Sequence, residues 1–92
     1  MKEKTITNQI LKYLNTVEKC VAFKHHGGMY SQAGIPDVIC CYRGKFVAFE
    51  VKNEKGKLSK LQEYWLKKFS QADGIAYKVQ SLDEVKEIIK SL

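Results

Sequence analysis

The stretch Pro36-Asp-Val-Ile-Cys-Cys-Tyr-Arg-Gly-Lys-Phe-Val-Ala-Phe-Glu-Val-Lys52 decides the fold. Two runs rich in β-branched and aromatic residues, Asp37 to Tyr42 and Phe46 to Val51, flank a turn at Arg43 and Gly44, the pattern of a β-hairpin. Pro36, the only proline, stands before the first run, where its missing N–H breaks no ladder. A turn at Arg43 and Gly44 pairs residues whose numbers sum to about 87, which sets Asp37 near Glu50. Glu50 lies inside an apolar run where a strand would carry Val or Ile. Lys52 follows at i+2 and shares its face, about 7 Å further along the strand. Two carboxylates and one lysine therefore converge at one end of two strands.

Outward from the hairpin, the apolar positions Ile6, Ile10, Tyr13, Leu14 and Val17 have helical spacing, with Thr5 or Thr7 available to cap the start. Cys20 to Phe23 reads as a short strand, and Gly27, Gly28 and Gly34 mark a loop carrying Tyr30, Ser31 and Gln32. Beyond Lys52 comes a polar loop, Asn53 to Lys57. A helix follows with Leu58, Leu61, Trp65 and Phe69 near one face, ended by Asp73 and Gly74. Ile75 to Val79 forms a strand. Ser81 and Glu84 have capping-box spacing before a last helix lined by Val85, Ile88, Ile89 and Leu92. The order αβββαβα predicts one α/β domain over residues 1–92, a mixed sheet flanked by helices.

Sixteen Lys and Arg against ten Asp and Glu give a formal net charge of +6, a field that favours polyanions and nucleic acid first. Cys20, Cys40 and Cys41 show no CxxC spacing. Adjacent Cys40 and Cys41 face opposite ways on a strand, so the cysteines read as small buried thiols in a reducing compartment rather than as a structural zinc site. The polar N-terminus has no apolar signal core, and no run approaches the roughly 18–20 apolar residues of a membrane span. A soluble, intracellular protein with no membrane partner is expected.

Two neighbouring carboxylates in a partly dry site repel unless a cation neutralises them. Mg²⁺ suits them, being a hard ion held by one or two carboxylates with water and phosphate completing the shell. Such an ion polarises a phosphoryl oxygen and activates a bound water, and a nearby lysine offsets charge on the phosphate. The chemistry this arrangement serves is phosphodiester hydrolysis. E-x-K alone is a common tripeptide, and a solvated strand-end salt bridge is its ordinary reading. The matched Pro36-Asp37, the register and the basic balance shift the reading to chemistry.

With these residues in place, Gly34-Ile-Pro-Asp37, Phe49-Glu-Val-Lys52 and Gly56-Lys-Leu-Ser-Lys-Leu-Gln62 together resemble the VRR-NUC (virus-type replication-repair nuclease) domain of the PD-(D/E)xK nuclease superfamily. The resemblance runs from the first helix through the strand at Ile75 to Val79. It implies a restriction-endonuclease-like core and DNA cleavage dependent on Mg²⁺ or Mn²⁺. Asp37 and Glu50 would be metal ligands, the Val51 carbonyl a further ligand, and Lys52 the catalytic lysine. Gln62 matches a glutamine that helps hold the active-site geometry, although Ser59-x-x-Gln62 is equally a capping box. A first-helix glutamate often reaches the metal in this family; Glu3 is the candidate, and Glu18 lies too far along. Stand-alone members resemble phage or prophage proteins of the bacterial cytoplasm. They are similar in role to Holliday-junction resolvases of replication and repair, and commonly homodimers acting on branched DNA.

Lys24 and Ser31 flank the expected entrance, and Lys55, Lys57 and Lys60 cluster after Lys52 where a DNA backbone would pass. His25 and His26 read as loop or DNA-facing residues, and Trp65 and Phe69 as core or dimer interface. The alternative is a non-catalytic basic DNA-binding module. The paired carboxylates weigh against it, since a pure binder of phosphates has no use for two acids against its ligand. An assembly protein working through apolar helix faces is a third reading.

Overall fold

The computed structural model describes residues 1–27 and 32–92. The expected order αβββαβα is observed: α1 (Glu3–Leu14), β1 (Cys20–Lys24), β2 (Val38–Tyr42), β3 (Lys45–Val51), α2 (Lys60–Gln71), β4 (Ile75–Val79) and α3 (Leu82–Lys90). The four strands form one mixed sheet in the order β1-β2-β3-β4. β1, β2 and β3 pair antiparallel, and β4 joins β3 in parallel. The β2–β3 register matches Val38 with Phe49, which is the pairing set by the turn at Arg43 and Gly44. Those two residues have φ of 51° and 83°, the left-handed pair that a two-residue hairpin of matching twist requires.

The sheet has two unlike faces. Val38, Cys40, Val47, Phe49 and Val51 point toward α1 and α3 and meet Ile6, Ile10, Leu14, Val85 and Ile89 in the main core. Ala48 and Ala76 point the other way and meet Leu66 of α2, with Ile39, Phe46, Leu58 and Phe69 partly buried around them. The Phe46 and Phe69 rings lie 4.7 Å apart. The small alanines let α2 lie close to the strands. The helix centres on Leu66, and Leu61 is left 41% exposed although its spacing placed it on the inner face.

Three further local expectations are corrected. Helix α1 begins at Glu3 with Lys2 as an uncapped N-cap, so neither Thr5 nor Thr7 caps it; Thr7 lies inside and its hydroxyl donates to the Glu3 carbonyl at 2.9 Å. The extra turn carries Ile6 into the core. At α3 the box is half formed: the Ser81 hydroxyl accepts from the Glu84 N–H, while the Glu84 carboxylate accepts from the Gln80 N–H instead. Of the cysteines, Cys20 and Cys40 are buried as expected, with sulfurs 3.3 Å apart, but Cys41 is exposed because strand alternation turns it to the face that α2 leaves open. At α2 the capping box is complete, with both Ser59 and Gln62 contributing. No helix of the described residues is long and apolar enough to cross a membrane.

Candidate active site

Asp37 stands one residue before β2, and Glu50 is the penultimate residue of β3. Extending the register by one step sets them opposite each other, on the face shared with Ala48 and therefore under α2. The Lys52 N–H donates to the Val79 carbonyl at 3.0 Å, so the backbone of Lys52 faces β4 and that of Val51 faces β2. The Val51 N–H donates to Asp37 Oδ2 at 2.9 Å. One further pair of steps in the register would set Val51 opposite Pro36, which has no N–H with which to continue the ladder. Proline followed by aspartate thus does two things at one strand end. It ends the backbone ladder with a residue that has no N–H, and it supplies the carboxylate that accepts from the Val51 N–H.

Glu50 is only 2% exposed. Its Oε2 accepts from the Gln62 side-chain amide at 3.3 Å and lies 4.0 Å from the Lys52 ammonium. Its Oε1 is buried and accepts no hydrogen bond from an N–H or hydroxyl of the described residues. Burial first, then the Asp37 carboxyl hydrogen-bonded and repelling beside it, push the Glu50 carboxyl up to about 8; Lys52 pulls it down and Glu3 adds further repulsion. A buried carboxylate oxygen that no N–H or hydroxyl of the described residues reaches, against a second carboxylate, is short of positive charge. A shared proton or a cation supplies it. Among the described residues no three His, Cys, Asp or Glu side chains gather around one point. A hard divalent ion here would accordingly take Asp37, Glu50 and the Val51 carbonyl, with water filling the other positions, and that donor set suits Mg²⁺ or Mn²⁺.

Gln62 makes both contacts that its position allows. Its side-chain oxygen accepts from the Ser59 N–H at 2.9 Å as part of the cap, and its amide nitrogen donates to Glu50. Helix α2 is fixed above the strands by Gly34 as well. Gly34 has φ of 86°, and a Cβ there would lie 2.7 Å from the Leu61 side chain and 2.9 Å from its backbone. Only glycine satisfies both the conformation and the close approach.

Glu3, the first-helix candidate, is tied in: its Oε2 accepts from the Asn53 N–H at 3.3 Å. The turn over Asn53 to Gly56 lies against it, closed by the Gly56 N–H on the Asn53 carbonyl at 3.0 Å. Gly56 carried no functional reading of its own in the sequence. Its signal was the motif Gly56-x-x-Ser59-x-x-Gln62, but what it touches is set by α1, far away in the chain. The His25 N–H donates to the Asp37 carbonyl at 2.8 Å and so extends the β1–β2 ladder to the site. Lys24 ends β1 half-buried, Lys55, Lys57 and Lys60 are exposed around the turn and the start of α2, and Ser31 lies outside the described residues. Trp65 packs between Tyr64 and Phe69, with ring centroids at 5.4 and 5.8 Å.

No family model matches the chain, and no curated protein does. Solved structures do. A "VRR_NUC domain protein" is similar with a TM-score of 0.74 and 15% identity, over 99% of this chain and 87% of that one. A "VRR_NUC domain" is similar with a TM-score of 0.68 and 20% identity, over 95% of this chain and 89% of that one. The chain has the fold of VRR_NUC domain structures, a mixed four-stranded sheet with three helices in the order αβββαβα.

Proposed function

We propose that this chain is a metal-dependent DNA endonuclease of the VRR-NUC kind, hydrolysing phosphodiester bonds and selecting branched DNA in replication or repair. The observation that carries the reading is the buried Glu50 Oε1, without an N–H or hydroxyl donor among the described residues and set against Asp37. Nothing in a packing or binding role requires that arrangement, and with both carboxyls ionised it is costly unless a cation completes it. The two structural relatives named for a nuclease domain support the same reading.

Asp37, Glu50 and the Val51 carbonyl would hold Mg²⁺ or Mn²⁺. When bound, that ion supplies an activated water and charge neutralisation at the phosphoryl oxygens. Gln62 keeps the Glu50 carboxylate turned toward Asp37. Lys52, with its stem half-buried and its ammonium near Glu50, orients the attacking water and offsets charge on the pentavalent phosphate. Lys24, Lys55, Lys57 and Lys60, with Ser31, dock the DNA backbone. A homodimer presents two such sites, as cutting both strands of a junction requires.

The test is cleavage of a labelled four-way junction beside a linear duplex and a single strand, with Mg²⁺, Mn²⁺ or EDTA. Cuts near the branch that need metal are expected. Both Asp37→Ala and Lys52→Ala should lower them by at least about a hundredfold while junction binding by Lys52→Ala persists. Wild-type turnover by Lys52→Ala removes the lysine from the mechanism. Metal-independent binding with no cleavage of any substrate replaces the nuclease with a basic DNA-binding module.

A further inference from the structure

We propose that Gly56 is a positioning residue of this site: its missing side chain lets the turn over Asn53 to Gly56 close against the Glu3 carboxylate and the stem of Lys52 together. A Cβ at Gly56 would lie 2.9 Å from Glu3 Oε2, 3.1 Å from Lys52 Cδ and 3.2 Å from Lys52 Cβ. Each is inside the roughly 3.5–4.0 Å of comfortable carbon contact. The turn is otherwise fully specified. Asn53 Oδ1 accepts from the Lys55 N–H at 3.0 Å, the Asn53 carbonyl accepts from the Gly56 N–H, and the Asn53 N–H donates to Glu3. One contact therefore links the start of α1 to the lysine that stands 4.0 Å from Glu50.

The backbone of Gly56 is not in the left-handed region occupied by Gly34 and Gly44, so alanine can adopt it. The substitution then changes space and little else. A methyl group would first displace the Glu3 carboxylate, the end of a flexible side chain, and break its hydrogen bond to Asn53. It would next press on the half-buried Lys52 stem. The cost to folding should be small, because the first atom displaced ends a flexible side chain and removing a glycine narrows the unfolded ensemble. Loss of function with a cooperative melt close to that of the wild type separates positioning from structural damage.

The role in turnover rests on the nuclease reading; the steric role does not. Two readouts keep the two apart. In Gly56→Ala, hydrogen exchange of the Asn53 amide, followed by NMR without metal, should quicken about tenfold or more, while the Lys52 amide, held by Val79, keeps its rate. In Mg²⁺-dependent DNA cleavage, kcat should fall about 10- to 100-fold with KM changed less than about twofold, the scale of a misplaced reacting group. Should Gly56→Ala fail to melt cooperatively, Glu3→Gln weakens the same contact from the other side and should quicken Asn53 exchange alone. Asn53 exchange at the wild-type rate in the variant tested overturns the proposal, and so does unchanged kcat in a folded Gly56→Ala. If the wild-type chain cuts no DNA, the nuclease reading falls, and the exchange rate alone decides whether Gly56 is the steric gauge.

Discussion

The two faces of the sheet solve opposite problems with the same strands. Toward α1 and α3, β3 presents Val47, Phe49 and Val51, all at or below 1% exposure. Toward α2 it presents Phe46, Ala48 and Glu50, so one helix lies over small side chains and a carboxylate. Strand alternation makes this division possible: Phe49 and Glu50 are neighbours in sequence, yet one completes the core and the other faces the site. The difference teaches that stability is concentrated on one side. That leaves the other free to carry a buried acid that would be intolerable in the middle of the main core.

The largest effect should come from truncating the packed face. Phe49→Ala is expected to cost about 3–5 kcal/mol, and Leu66→Ala, under α2, nearer 2 kcal/mol, by urea unfolding. Equal costs would erase the distinction between the faces. The next tests the strained side. Without metal, native Glu50 keeps its proton up to about pH 8, whereas the unfolded chain releases it near 4.5. The native state therefore binds the extra proton between those values. Its stability from this group is full below about 4.5 and lost as pH rises through about 8. Glu50→Gln in EDTA should remove that slope and gain on the order of a few kcal/mol at pH 8. A wild-type profile that is flat or rises over this range contradicts it. The smallest effect concerns the helix over the site. Ser59→Ala should cost about 1 kcal/mol as a lost cap. It should also lower cleavage, because the same box holds Gln62 against Glu50. A melting shift with cleavage untouched would reduce Gln62 to a capping residue.

Much of this was legible because it is local. The turn at Arg43 and Gly44 fixes a register, and a register carries side-chain faces with it, so the meeting of Asp37 and Glu50 followed from numbering alone. The cap at Ser59 and Gln62 was legible for the same reason, since its partners are three residues apart. The start of α1 was misplaced because Lys2 offers no capping side chain, and the helix is extended by what Ile6 packs against. The buried face of α2 was shifted from Leu61 to Leu66 because the contact is chosen by Ala48 and Ala76, which periodicity does not contain. Cys41 was misjudged because burial depends on which part of the sheet a single helix covers.

By itself, then, the sequence determined the order of elements, the hairpin register and the pairing of two acids with one lysine at a strand end. These depend on periods of two and of 3.6 and on a turn of two residues, all properties of short chain segments. Only the tertiary structure decided that Glu50 is sealed from water, that the Asp37 carboxylate takes the Val51 N–H, and that Glu3 reaches Asn53 and the turn at Gly56. Those facts depend on contacts between segments up to fifty residues apart, formed only when α1 and α2 close over the ends of β2 and β3.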